Sequence, residues 1–371
     1  MILVLSSVLA ICAVTLEIGV KIFKPQPVYS RLSLLAGSFY INSDTTDWTL
    51  KPSHIAEMPS MESPGLIVSA SINSQGLRGP EIIENIPKTV VLGDSYTFGV
   101  YVADNQTYVH QINMLSEQNN DNMLYLNAGY TGGLETDQHY AWLKQNLLNI
   151  KPKKLIYATF PPNDIMGISP ESWTKVDENG LPVKWDNSDF VVNEFGSIEY
   201  TGVSRTYLSF LHSIPILRES HLLVATVRVI DMLVSEPTDH SEGYQFLYGL
   251  EQSEFAEQEI RYLNLIAGMQ DLAEMNSIDF SVVLLPINFQ IEPEKKDLFF
   301  SGMDRFDGLI PIYYDKLEHS LKMLGIEVLN IEKAMKSSNS GPFFPANGEP
   351  HFNSNGHLFV AKALYKYLKS K

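Results

Sequence analysis

The chain has 371 residues, 44% of them hydrophobic, enough to bury a sizeable core in one large domain or two smaller ones. Its 27 basic residues against 43 acidic ones leave a net charge of −16, which opposes the counterion release that nucleic-acid binders use and argues against nucleic acid as a partner. The single cysteine, Cys12, excludes an internal disulfide and a cysteine-based metal site.

Residues 2–20 are apolar apart from three hydroxyl residues, Cys12 and Glu17, and as a helix they span about 28 Å, near the thickness of a bilayer core. The run is longer than the apolar part of a signal peptide, has no basic region before it and shows no small-x-small cleavage site. It therefore predicts an uncleaved single-pass membrane anchor over residues 1–23. Ile11, rather than a small residue, precedes Cys12, which argues against a lipid-modified cysteine. Glu17 lies about one turn from the end of the span, where it can reach the interface or a partner helix. Lys21, Lys24 and Arg31 follow, and the positive-inside rule alone would put the main domain in the cytoplasm.

Residues 24–86 are rich in Pro and Ser without a sustained period and read as a stalk and peripheral segment. An ordered turn is expected at Asn73-Ser74-Gln75-Gly76-Leu77-Arg78-Gly79, with Arg78 either on the surface or framing an active-site rim. Beyond it, short apolar runs alternate with amphipathic stretches, the pattern of βαβ units. Strands are predicted at 89–92, 123–127, 154–159, 280–285 and 327–330, and helices at 106–117, 135–149, 254–275, 310–324 and 356–369. This is a three-layer α/β/α flavodoxin-like sandwich with a five-stranded parallel sheet, occupying residues 87–371. The roughly ninety residues between the third strand and the helix at 254 exceed any simple crossover, so an insertion is expected at about 166–253. It holds Trp173, Trp185, Phe190, Phe195 and Tyr200, as a small core or as a lid or sugar-stacking surface, followed by an apolar segment, 207–234, of one or two helices.

Chemistry is suggested at two places. Val90-Val91-Leu92-Gly93-Asp94-Ser95 puts a serine directly after an apolar strand, at the carboxyl end of a parallel sheet where open α/β folds bind ligands. A serine needs a base, and Glu349-Pro350-His351 offers one, with a carboxylate two residues before the histidine able to reach its Nδ1–H. His357, at the start of the last helix, reads as structural, and Asp94 as a loop-organising carboxylate rather than the acid of a triad. The chain carries no paired histidines at helical spacing, no cysteine cluster and no phosphate-binding loop, so no cofactor or metal is expected.

These motifs resemble the GDSL/SGNH hydrolase superfamily, whose four marker blocks occur in order from about Pro87 to the C-terminus: Gly93-Asp94-Ser95, Asn127-Ala128-Gly129-Tyr130-Thr131-Gly132, Pro161-Pro162-Asn163-Asp164 and Glu349-Pro350-His351. The resemblance implies Ser95 as nucleophile, His351 as base and Glu349 as its orienting acid, with an oxyanion hole formed by the Ser95 and Gly132 N–H groups and the Asn163 amide. Gly129 and Gly133 are close enough to shift that glycine's register. Two positions depart from the family pattern, Pro161 in place of a glycine and Glu349 in place of an aspartate. The implied activity is cofactor-free hydrolysis of an acyl ester through an acyl-enzyme, or acyl transfer to a sugar hydroxyl. By analogy with envelope members the substrate is an O-acetyl or short-acyl ester of a cell-envelope glycan, with the catalytic domain outside the cytoplasmic membrane, against the charge bias noted above. The alternative is a non-catalytic glycan-binding or assembly protein that retains the fold.

Overall fold

The structure, a computed structural model, describes residues 2–24, 39–60, 62, 66–131, 134–186, 190–192, 198–200, 214–234, 240–250, 253–296 and 306–371. The chain separates into two compact units, Met1–Phe39 with Ser188–Thr238, and Tyr40–Asn187 with Asp239–Lys371.

The smaller unit contains helix α1 (Ile2–Phe23), two short antiparallel strands described below, and the apolar helix α4 (His221–Val234), which follows a helical turn at Pro215–Arg218. Among the described residues, α1 is the one helix long and apolar enough to cross a membrane.

In the larger unit, residues 40–72 form two antiparallel hairpins, β1 (Tyr40–Asn42) with β2 (Trp48–Leu50) and β3 (His54–Pro59) with β4 (Ile67–Ile72). The sequence showed no period here because each strand is short and apolar residues also stand at exposed positions, Ile55 and Ile67, beside the buried Ala56, Met58, Ala70 and Ile72. The central sheet comprises β5 (Lys88–Gly93), β6 (Leu124–Gly129) and β7 (Lys154–Thr159), joined later in the chain by two more strands. Between them lie α2 (Tyr108–Gln118) and α3 (Thr136–Ile150).

After β7, a hairpin of β8 (Trp173–Val176) and β9 (Pro182–Trp185) begins the insertion, and β10 (Phe190–Val192) pairs with β11 (Ile198–Tyr200) in the smaller unit. Trp173 and Trp185 meet edge to face across the first hairpin, their centroids 6.3 Å apart, and Trp185 is buried. Phe190 and Tyr200 are register partners, whereas Phe195 and residues 207–213 of the expected apolar segment lie outside the described residues. The chain returns to the sheet through α5 (Ser253–Met275), β12 (Asp279–Leu284), α6 (Tyr313–Met323), β13 (Glu327–Asn330), α7 (Ile331–Lys336) and α8 (Ser354–Lys369).

The five strands run parallel in the order β13-β12-β7-β5-β6. Their interiors, from Val90-Val91-Leu92 to Val282-Val283-Leu284, are buried, as expected for strands covered on both faces. With this strand order, the right-handed rule for crossovers assigns α2 to one face and α3, α5 and α6 to the other, and α8 returns to pack on α2. The result is the α/β/α sandwich expected from the alternating pattern. The order reverses between β5 and β7, and the crevice above their carboxyl ends is where a doubly wound sheet places its ligand.

Gly129 ends β6 under the backbone that follows β5. A Cβ there would lie 2.0 Å from the Phe98 nitrogen and 2.5 Å from the Thr97 carbonyl carbon. Backbone on both sides leaves nothing free to yield. Gly129→Ala is expected to destabilise the protein by about 3 kcal/mol or more, measured by urea unfolding.

Candidate active site

Ser95 opens a single helical turn, Ser95–Phe98, directly after β5. Asp94 caps it, its Oδ1 accepting a hydrogen bond from the Tyr96 N–H at 3.0 Å, and Gly99 closes it in the left-handed conformation at φ 84°. Gly93 is required because a Cβ would stand 2.3 Å from both the Ala158 carbonyl oxygen and Thr97 Oγ1. Arg78 is buried rather than on the surface. Its guanidinium donates to the carbonyls of Phe98 (2.8 Å), Gly99 (2.5 Å) and Val102 (2.8 Å) and pairs with Asp104 at 2.9 Å, tying down the stretch after the turn. Asn127 holds the same turn from β6 by donating to the Thr97 carbonyl at 2.9 Å.

His351 comes from the loop before α8. The Asn353 side chain caps that helix by accepting from the Gly356 N–H at 2.8 Å, and Asn288 donates to the Gly348 carbonyl at 2.8 Å. Tyr96 grips the loop from the serine side, its hydroxyl donating to the Pro350 carbonyl at 2.7 Å while its ring packs 4.8 Å from the imidazole. The Ser95 Oγ and His351 Nε2 lie 2.7 Å apart across 256 positions of sequence. On the far side of the ring, Nδ1 is hydrogen-bonded to Glu349 Oε1. A proton held on Nδ1 by the carboxylate leaves the Nε2 lone pair facing the serine hydroxyl. The extra methylene of Glu349 therefore does not prevent contact.

Asn163 lies in a helical turn, Pro161–Asp164, that follows β7 on the other side of the switch point. Pro161 takes the first helical position, where a missing N–H costs no intrahelical bond, so the departure from glycine is locally accommodated. The Asn163 amide donates to Asp94 Oδ2 at 3.3 Å, which brings the turns of the first and third marker blocks together and leaves its other N–H available. Gly132 and Gly133 lie outside the described residues. The Gly129 N–H is already committed to Asn127 Oδ1 at 2.9 Å, so it is not a free donor.

Beneath these groups sits a set of carboxyls whose burial the sequence did not show. Asp164 accepts from Thr159 Oγ1 (2.6 Å) and the Phe160 N–H (2.7 Å), and Asp137 from Trp173 Nε1 at 2.9 Å. Burial holds Glu135 and Asp164 well above the usual carboxylate range, helped by repulsion from Asp164, Asp94 and Asp137 at Glu135 and from Asp94 at Asp164. Burial alone pushes Asp137 up to about 6. Asp94 is likewise raised to about 6 by burial, opposed by the facing His351 and by its hydrogen bonds. His357 is buried, accepts from the Tyr108 N–H at 3.3 Å through Nδ1, and is pushed down to about 3 by burial, consistent with a structural role. Tyr101 adopts φ 68° and places its ring edge-on to His351 at 5.8 Å, a position that depends on backbone conformation and left no trace in the sequence. The signal for Asp164 was present in Pro161-Pro162-Asn163-Asp164, but burial is what distinguishes it from an ordinary turn aspartate.

No family model matches this chain and no curated protein matches its sequence. Solved structures similar to it include a lipolytic protein of the G-D-S-L family from Desulfitobacterium hafniense DCB-2, with a TM-score of 0.39 and 12% identity over 75% of this chain and 98% of the other. A lipase/acylhydrolase from Enterococcus faecalis gives a TM-score of 0.37 and 13% identity over 77% and 96%. A GDSL-like lipase from Bacteroides thetaiotaomicron VPI-5482 gives 0.36 and 12% over 79% and 92%.

Asp94 makes a pH prediction. Its value rises from an ordinary 3.8 when unfolded to about 6 when folded, so between these the folded state holds a proton that the unfolded state has lost. Stability from this group is fully present below about pH 4 and declines as pH rises through about 6. Asp94→Asn is expected to lose less unfolding free energy than wild type between about pH 4 and about pH 7 in urea titrations; an equal loss contradicts the assignment.

Proposed function

We infer that this chain is a serine ester hydrolase of the GDSL/SGNH type, with Ser95 as nucleophile. The observation that carries this reading is the 2.7 Å approach of Ser95 Oγ to His351 Nε2 with Glu349 bonded to the other ring nitrogen. His351 takes the hydroxyl proton as Ser95 attacks the ester carbonyl, and Glu349 stabilises the resulting imidazolium. The oxyanion is received by the Ser95 N–H at the start of its helical turn, by the Asn163 amide held by Asp94 and, from the motif resemblance, by the Gly132 N–H. His351 returns its proton to the leaving alcohol. It then activates water to release the acid, or a sugar hydroxyl to accept the acyl group.

The resemblance to envelope proteins supports an O-acetyl or short-acyl ester of a cell-envelope glycan as substrate, and the apolar residues 2–20 support a membrane anchor. It also favours an extracytoplasmic catalytic domain, whereas Lys21, Lys24 and Arg31 bias the other way. A C-terminal alkaline phosphatase fusion active in intact cells is the expected result.

Ser95→Ala and His351→Ala are each expected to lower kcat on a short-chain aryl ester by at least about 10³-fold, with Ser95→Ala also abolishing fluorophosphonate labelling. Glu349→Gln keeps the size but not the charge and is expected to cost about 10²–10⁴-fold in kcat with little change in KM. A wild-type chain that neither labels nor turns over esters rules the hydrolase out.

A further inference from the structure

Glu17 is the one ionisable residue in the apolar run 2–20 apart from the thiol of Cys12, and the chemistry of Ser95 makes no use of it. Its carboxylate is not left to itself. Oε2 accepts from Ser220 Oγ at 2.7 Å and from the Leu222 N–H at 2.9 Å, and Oε1 accepts from the His221 N–H at 2.8 Å. All three donors stand at the start of α4, so a side chain of α1 caps the N-terminus of a helix about 200 positions away in sequence. Ser220 completes the cap, its Oγ accepting from the Leu223 N–H at 3.0 Å, and the Val224 N–H reaches the Ser220 carbonyl at 3.3 Å. The N–H groups that open this helix are thus satisfied by protein alone.

A helix that starts in water does not need this, because water serves its free donors. A helix that starts in hydrocarbon does. The rest of α4 fits the same setting. Ten of its 14 residues are Leu, Val, Ile, Met or Ala, Thr226 turns its hydroxyl back to the Leu222 carbonyl at 2.7 Å, and Val229 is half exposed. Its other residues are His221, Arg228 and Asp231, the last two charged. Glu17 is six residues, about 9 Å, before the end of α1, so the start of α4 is level with the membrane segment rather than beyond it. At about 21 Å, α4 is too short to cross the bilayer core.

We propose that α4 is a second, non-spanning membrane segment, docked on α1 through Glu17, and that the bilayer covers the side on which Val229 is exposed. This rests on α1 being a membrane anchor, and the test separates the two. In a Cys12→Ser background, the full chain carries a single environment-sensitive fluorophore at Val229→Cys or, as the anchor control, at Val14→Cys, and is reconstituted in phosphatidylcholine–phosphatidylglycerol vesicles. Both probes are expected to be quenched by spin-labelled lipid and shielded from aqueous iodide. A lipid-quenched Val14 probe with an iodide-quenched Val229 probe overturns the α4 assignment and leaves the anchor standing. Iodide quenching at both sites overturns the anchor as well. A Val229 probe shielded from both quenchers puts protein over α4 and also overturns the proposal. Adding Glu17→Leu removes the cap while keeping α1 apolar, and is expected to reduce lipid quenching at Val229 at least two-fold, with Glu17→Gln intermediate. Unchanged quenching in Glu17→Leu removes Glu17 from the docking contact.

Discussion

The helical turn Ser95–Phe98 lies so close to the end of β6 that a single methyl group on Gly129 would fall 2.0 Å from the Phe98 nitrogen. Gly93 meets the same limit against β7, 2.3 Å from the Ala158 carbonyl oxygen. With both glycines in place, the backbone after β5 bends at once into a helical turn and Ser95 stands at the switch point of the sheet. Arg78 and Asn127 then hold the carbonyls of that stretch from outside. Neither side chain touches the Ser95–His351 pair. Both act by fixing the backbone on which the serine sits.

Burial sets the electrostatics around that pair. Asp94, Glu135, Asp137 and Asp164 are taken from water together, and desolvation outweighs the hydrogen bonds that would favour their ionised forms. Glu349 is only partly buried. The carboxyl that faces the imidazole is therefore the one nearest to solvent, while the carboxyl that orients Asn163 is buried. Environment, rather than residue type, divides the acids of the site into different tasks.

In the membrane setting proposed for α1 and α4, the smaller unit follows the same rule. An uncompensated charge near a bilayer centre costs about 2.5–3.5 kcal/mol on insertion scales, and open N–H groups at a helix start are similarly unfavourable there. Glu17 and the first turn of α4 cancel one another's unmet hydrogen bonding. Each is reasonable in hydrocarbon only because the other is present.

Local chemistry makes much of the larger unit readable from residues alone. Parallel strands buried on both faces must be continuous apolar runs, so the amino-acid pattern delimits 154–159 and 327–330 to the residue, and the other strands to within two residues. Gly93-Asp94-Ser95 at the end of such a run, and a carboxylate two residues before His351, are short-range patterns, so both sides of the Ser95–His351 pair were legible. Whatever depends on distant partners was not. The hairpins of residues 40–72 exist because each strand finds its mate, Arg78 is buried because the carbonyls of the 98–102 stretch surround it, and Asp164 is distinguished by the water it has lost. Glu17 stands out along the chain as a charge in an apolar helix. Only the tertiary structure supplied its partners, because hydrogen bonds between residues 17 and 220–222 carry no period or spacing along the chain.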